Sequence, residues 1–178
     1  TGRKKEIIVT SGGKKTAPSN LEAMLKGIEP IGNAMVVGDG KNYLVALLAL
    51  DPERVTPFAA KNVFPLEPAK LVAHEGFRKY LQDAIEREVN PRVARFETIK
   101  AFDVLPHDFT IEGGELTSTL KVRRKVVAEK YAERLAKVKK LRGGREVWAY
   151  NFYTGNAQMP QLTIDAPLTD ARMNYWIL

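Results

Sequence analysis

No cysteine occurs anywhere in this chain of 178 residues. Disulfides, thiolate metal sites and a cysteine nucleophile are thereby excluded, which fits a reducing compartment. Histidine is nearly as scarce. His74 and His107 stand 33 positions apart, so no close-spaced pair offers itself to a metal, and neither has a serine and a carboxylate arranged about it in sequence. No residue is assigned to a metal. Long hydrophobic runs are missing too: the longest, "YLVALLAL" at 43–50, falls far short of the roughly 20 residues that cross a bilayer. The basic start "TGRKKEIIVT" is not followed by the apolar stretch of a secretory signal. The expected location is the cytoplasm. Without an initiating methionine or a leader, the chain reads as a piece of something longer.

What is present is a hydrophobic content of 44%, enough to bury a core in a domain of ordinary size. The formal charge is +7, which calls for an anionic partner: nucleic acid, lipid headgroups or the phosphates of a small molecule. Charge alone does not choose among them.

Along the chain, "EIIVT" (6–10) reads as a strand, and "SGGKK" after it as a hairpin or tight loop. A short helix is expected at about 19–27, where Ser19 and Glu22 have capping-box spacing. "NAMVVGDGKNYLVALLAL" reads as an antiparallel strand pair turning through Gly38-Asp39-Gly40, its second member apolar on both faces. Asp51-Pro52 opens another short helix. Phe77, Leu81, Ile85 and Val89 recur every four positions, giving one face of a long amphipathic helix over about 70–98, with a kink expected at Asn90-Pro91. "IKAFDVLP" is a third strand. "RKVVAEKYAERLAKVKKL" is a helix with Val127, Tyr131, Leu135 and Val138 inward and Glu133 and Lys137 outward. The sum is an α+β domain, a small antiparallel sheet flanked by helices, over residues 1–140. Residues 141–178 lose every lysine and carry six of the fifteen aromatic residues, which marks a separate, irregular C-terminal tail of unassigned role.

Two glycine motifs fail their templates. "SGGKKT" has Ile8 and Lys15 where a P-loop needs glycine and Ser or Thr, and "GDGKNY" has Tyr43 where a dinucleotide fingerprint needs its third glycine. Both are read as turns. The stretch "IEGGELTSTLKVRRK" (111–125) sets Lys121 directly behind a Thr-Ser-Thr segment and stacks Arg123, Arg124 and Lys125 behind it. Taken alone it is a solvated helix start or a phosphate site.

"TGRKKEIIVTSGGKKTAPSNLE" resembles the opening of the C-terminal domain of the adenylate-forming acyl-CoA synthetases: a Gly-Arg-x-Lys/Asp run, a strand, a glycine loop, Ala-Pro and a helix carrying Glu. "DFTIEGGELTSTLKVRRKVV" is similar to the closing motif of their long-chain fatty-acyl branch, in which Glu-Leu-Thr-x-Thr-x-Lys-x-Arg-Arg replaces the Pro-Lys-Thr-x-x-Gly-Lys of relatives. The two motifs stand in the right order about a hundred residues apart. The resemblance covers roughly 1–140 and leaves the tail unmatched.

The resemblance implies the mobile C-terminal domain of a long-chain fatty acid–CoA ligase. Its partners would be its own N-terminal adenylation domain, ATP with Mg²⁺ bound mainly by that other domain, fatty acid, and coenzyme A as acceptor. Peripheral association of the full enzyme with a membrane is left open, and so is a related adenylating enzyme with another acceptor. Lys121 aligns with the lysine that joins the fatty-acid carboxylate and the α-phosphate during adenylation, a task suited to a compact cation on a flexible stem. The Thr117-Ser118-Thr119 segment would hold its loop. Arg3 aligns with an arginine near the ribose hydroxyls, and Lys5 with the hinge about which the domain rotates. Gly12 and Gly13, with Lys14, would form the loop facing coenzyme A, where bare backbone lets the pantetheine arm approach. The family has Gly-Gly-Lys-Asn and then an aliphatic residue; here Lys14-Lys15-Thr16 follows the glycines, and the added lysine favours the phosphates of coenzyme A. The rival reading is a basic nucleic-acid-binding module. It rests on charge alone, without aromatics interleaved in the basic cluster and without a recognisable nucleic-acid motif, so no nucleic acid is expected.

Overall fold

The computed structural model describes residues 7–41 and 43–143, with side chains to 138. These residues belong to one compact unit, Thr1–Gly144. Residues 144–178, most of the expected tail, lie outside the described residues. So do Arg3 and Lys5.

The central strand follows from composition. "LVALLAL" makes β4 (Leu44–Leu50), in which every residue is at most 1% exposed. A strand so apolar is stable only with both faces and both edges covered. On one side it pairs antiparallel with β3 (Ile31–Val37), through the expected turn at Gly38–Gly40. On the other it pairs with β5 (Ile99–Leu105), and this pairing is parallel. The sheet β3-β4-β5 is therefore mixed, not antiparallel throughout as the sequence reading had it. The cause is the crossover between β4 and β5: a strand that returns after a long helical connection enters in the same direction as the one it left. A two-stranded ribbon, β1 (Ile8–Val9) with β2 (Lys15–Thr16), stands apart from this sheet.

The crossover holds α2 (Pro52–Lys61), α3 (Pro68–Ala73) and α4 (Glu75–Ala84). Asp51 caps α2 as expected, its carboxylate accepting the Glu53 N–H at 2.9 Å. Phe77, Leu81, Ile85 and Val89 are all buried, so the predicted apolar face is real, but the element is not one helix. α4 passes into a π-helical turn at Ile85–Val89 and a 3₁₀ turn at Asn90–Arg92. Pro91 supplies no N–H, and the chain accommodates it by rewinding.

The expected capping box is absent. In α1 (Pro18–Lys26) Ala17 is the N-cap, no side chain caps it, and Pro18 opens the helix. Glu22 is recruited elsewhere: its carboxylate accepts the Val36 N–H of β3 at 2.8 Å and also pairs with Arg124. Arg124 in turn donates to the Val36 carbonyl. The outer edge of β3 is thus closed at Val36 by two side chains in place of another strand.

α5 (Arg124–Lys130) and α6 (Ala132–Gly143) replace the single helix expected from 124 onward, with the break at Tyr131. Val127, Tyr131, Leu135 and Val138 all point inward nonetheless.

The sheet divides the core. Leu21, Leu25, Leu48, Phe58, Phe77 and Leu81 pack on one face with α1 to α4. Met35, Leu47, Phe109, Leu116, Val127 and Leu135 pack on the other with α5 and α6.

Candidate functional site: a lysine loop and a glycine hairpin

Lys121 is exposed on a tight hairpin between β5 and α5. Leu116 and Val122 form a bridge at its neck. Beyond the neck Thr117 organises the tip: its N–H donates to the Lys121 carbonyl at 2.8 Å, its carbonyl accepts from Leu120 N–H at 2.9 Å, and its hydroxyl accepts from Lys121 N–H at 3.1 Å. The Thr117 and Thr119 hydroxyls are bonded to each other at 3.0 Å. A Thr-Ser-Thr segment can do this because short hydroxyl side chains bond back to local backbone. Leu120 takes a left-handed backbone conformation, φ +56°, which tightens the turn and leaves its side chain 66% exposed beside the lysine.

The neck is rooted through Glu115, which is 2% exposed. Its carboxylate accepts from Thr110 N–H at 3.0 Å, Lys130 Nζ at 2.8 Å and the Tyr131 hydroxyl at 2.7 Å. Burial pushes this carboxyl upward, but the hydrogen bonds from Lys130, Tyr131 and Thr110, with the Lys130 charge, outweigh it and bring the pKa down to about 2. Burial and the same carboxylate drive Tyr131 in the opposite direction, upward from its ordinary value.

Gly12 and Gly13 form the tip of the β1–β2 ribbon. Gly13 closes the turn with its N–H on the Thr10 carbonyl at 2.9 Å and has φ +71°, where a side chain is strained. A Cβ at either glycine would meet open space. Lys14 and Lys15 are exposed next to them. The ribbon is tied to the β3–β4 turn by three bonds: Ser11 N–H to the Lys41 carbonyl, Gly40 N–H to the Val9 carbonyl, and Val9 N–H to the Asp39 carboxylate at 3.1 Å. Thr16 is buried and donates to Glu97.

Ile8 of the ribbon packs with the α1–α4 cluster, whereas Leu116 of the lysine loop packs with the α5–α6 cluster. The two loops are rooted on opposite faces of the sheet. Among the described residues their supports come together at the turn end of β3, where Arg124 grips Val36 and the ribbon bonds to Asp39–Lys41.

A family model described as the AMP-binding enzyme C-terminal domain matches residues 5–140. The chain belongs to this family. Among curated relatives, a long-chain-fatty-acid–CoA ligase of Mycobacterium tuberculosis, FadD15, is 44% identical over 134 residues, covering 74% of this chain and 22% of the relative. A mouse long-chain-fatty-acid–CoA ligase, ACSBG1, is 32% identical over 151 residues, covering 75% and 21%. This chain therefore spans about a fifth of the length of the curated relatives it matches. Among solved structures, the adenylation domain of a Mycobacterium chelonae carboxylate reductase superposes with a TM-score of 0.61 at 26% identity, over 78% of this chain and 20% of that one. That of Segniliparus rugosus, in complex with AMP and a co-purified carboxylic acid, gives 0.62 at 26%, over 78% and 20%. The AMP-binding C-terminal fold is thus common to the matched enzymes, and small sheets flanked by helices are its architecture here.

Of the residues named from sequence, the structure describes Lys121, Gly12, Gly13 and Lys14. Reading the sequence singled out neither Glu115 nor the pairing of Arg124 with Glu22 and Val36. The signal for Glu115 was weak: one carboxylate behind two glycines, two of whose partners, Lys130 and Tyr131, lie 15 and 16 positions away.

Proposed function

We propose that this chain is the mobile C-terminal domain of a long-chain fatty acid–CoA ligase, acting with its own N-terminal adenylation domain on ATP, fatty acid and coenzyme A. In the first half-reaction a carboxylate oxygen of the fatty acid attacks the α-phosphorus of ATP, and pyrophosphate leaves as acyl-AMP forms. In the second the thiol sulfur of coenzyme A attacks the acyl carbonyl, AMP leaves and the thiol proton is released. The observation that carries this reading is the placement of the two loops on opposite faces of one sheet. A single active site between two domains would then meet them in turn, Lys121 for adenylation and Gly12-Gly13 with Lys14 for coenzyme A, if the domain rotates between steps.

Lys121 is assigned to the first step because its ammonium can lie against oxygens whose charge changes as pyrophosphate departs. Lys14 and Lys15, exposed beside bare glycine backbone, suit the phosphates and pantetheine of coenzyme A. Arg3 at the ribose and Lys5 at the hinge complete the assignment, both outside the described residues. Among the described residues no group of three or more His, Cys, Asp or Glu could hold a metal ion. In this reading the Mg²⁺ that accompanies ATP is held mainly by the N-terminal adenylation domain. Among them also, no helix is long and apolar enough to cross a membrane. The cytoplasm, with peripheral contact of the full enzyme at a membrane, is the location that goes with this reading.

The nucleic-acid alternative finds no support in the matches. One of its cations, Arg124, is engaged by Glu22 and the Val36 carbonyl.

The test is paired. In the full-length enzyme, Lys121→Ala is expected to lower ATP–pyrophosphate exchange by about a hundredfold or more, the scale for removing one preorganised charge from a transition state. The same protein given synthetic acyl-AMP is expected to form acyl-CoA at nearly the normal rate. Loss of both activities with an intact fold would sink the assignment of Lys121 to adenylation, and loss of neither would return the basic cluster to a solvated helix start.

A further inference from the structure

The turn before the lysine loop is built around one carboxylate. A Cβ on Gly113 would collide with the Glu115 carboxylate and the Thr110 hydroxyl, so only glycine leaves room there. Gly114 takes φ +77°, which returns the chain to Glu115. The Thr110 carbonyl accepts N–H bonds from both Glu115 and Leu116 at 3.1 and 3.0 Å. Three segments then converge on the buried carboxylate: the turn at Thr110, the end of α5 at Lys130, and the break between helices at Tyr131. The main chain of the same residue grips the far side of the loop, its carbonyl accepting from Arg123 N–H at 2.7 Å. Glu115 therefore holds both strands of the neck from which Lys121 projects, with directional bonds from the Thr110 N–H and the Tyr131 hydroxyl beside the Lys130 charge.

A buried ion is a costly way to fill this space if filling were all that mattered, because an apolar group of similar size commonly does as well or better. Hydrogen-bonded charge differs from apolar packing in fixing position and orientation together. A cation that must meet a developing charge needs its support held to about half an ångström.

We infer that Glu115 is a positioning residue for adenylation: it touches no substrate and acts through Lys121, by fixing the neck of the loop against the α5–α6 junction. This rests on the assignment of Lys121 above. Tyr131 and Lys130 are the donors that orient the carboxylate, and Tyr131, at the helix break, couples it to the outer half of the helical layer.

The test uses the full-length enzyme and a double-mutant cycle. Glu115→Gln keeps shape and one acceptor but sets an amide N–H₂ against donors; it is expected to lower ATP–pyrophosphate exchange by about 10- to 30-fold while thioester formation from synthetic acyl-AMP stays within about twofold. In the Lys121→Ala background the same substitution is expected to cost almost nothing further, because residues acting as one unit are non-additive. Tyr131→Phe, which deletes one donor and leaves the ring, is expected to give the same split at about threefold, and it carries the test should Glu115→Gln fail to fold. Equal loss of both half-reactions in these variants would make Glu115 a general stabiliser and overturn the inference. So would a full additional loss in the Lys121→Ala background, or unchanged exchange in the single variants. If Lys121→Ala itself retains exchange, the assignment of the lysine falls and the inference with it; if Lys121→Ala loses exchange while the Glu115 and Tyr131 variants keep it, the inference alone falls.

Discussion

The glycine hairpin and the lysine loop are both short reverse turns with an exposed tip, yet they are held in opposite ways. The hairpin is tied down mainly by backbone: its N–H and C=O groups bond to the β3–β4 turn, and its tip carries no side chain at Gly12 or Gly13. The lysine loop is tied down by side chains, through Thr117 at the tip, Glu115 at the neck and Arg124 just beyond it. Backbone anchoring leaves the neighbouring side chains free to vary, which accommodates an exposed lysine at 15. Side-chain anchoring makes placement depend on a few ionised groups, and hence on pH and on single substitutions.

The strongest way to sharpen that contrast is acid. The Glu115 pKa lies near 2 when folded, against an ordinary 4.5. The folded state thus binds its proton less readily than the unfolded one, so the stabilisation is complete above about pH 5 and disappears as pH falls towards 2. Its full size is about 3 kcal/mol from the displacement. Urea unfolding of the chain and of Glu115→Gln at pH 7 and pH 3 is expected to show the gap between them shrink by about 2 kcal/mol. A constant gap would remove the buried carboxylate from the stability of the lysine loop.

Arg124→Ala comes next. The side chain is three-quarters buried, and its guanidinium pairs with Glu22 while capping the Val36 carbonyl. Its loss is expected to lower stability by about 1–2 kcal/mol in urea unfolding, with a smaller effect on pyrophosphate exchange than Lys121→Ala. An effect on exchange as large as that of Lys121→Ala would place Arg124 in the chemistry as well as the framework.

The smallest effects belong to the hairpin. Gly13→Ala forces a side chain into φ +71° and is expected to cost about 1 kcal/mol of stability. Gly12→Ala has ordinary backbone and open space around it, so its stability change is expected to stay within about 0.5 kcal/mol. Thioester formation should nevertheless slow in Gly12→Ala if coenzyme A approaches that backbone. Unchanged thioester formation would leave Gly12 as a turn residue only.

How far the sequence could be read depended on whether a feature was local. The four-residue spacing of Phe77, Leu81, Ile85 and Val89 identifies a buried face because it needs only a helix and a core. It says nothing of the π turn that carries Ile85–Val89, since a wider turn keeps those residues on the same side. Asp51 capped its helix as read, with its partner two residues away. Glu22 did not, because its competing partners, Val36 and Arg124, lie 14 and 102 positions distant and no local rule weighs them. Strand β5 was found but its direction was not, although the helices between it and β4 were themselves legible and imply a parallel return. The motif around Lys121 is what leads to the role proposed for it. Glu115 stood in the same motif without an assigned role, because what distinguishes it is burial.

The closure of β3 at Val36 ties the soundness of the sheet to the segment that presents the lysine. Open strand edges recruit other strands, and proteins guard them with charge or cover. Here the guard is Arg124, the first residue of α5 and three positions past Lys121. A chain in which α5 frays would uncover the Val36 C=O and leave Glu22, still on the Val36 N–H, without its cation, beside a hydrophobic strand buried on both faces. Fraying of α5 would then surface as self-association of the protein, so soluble yield reports on this region alongside turnover.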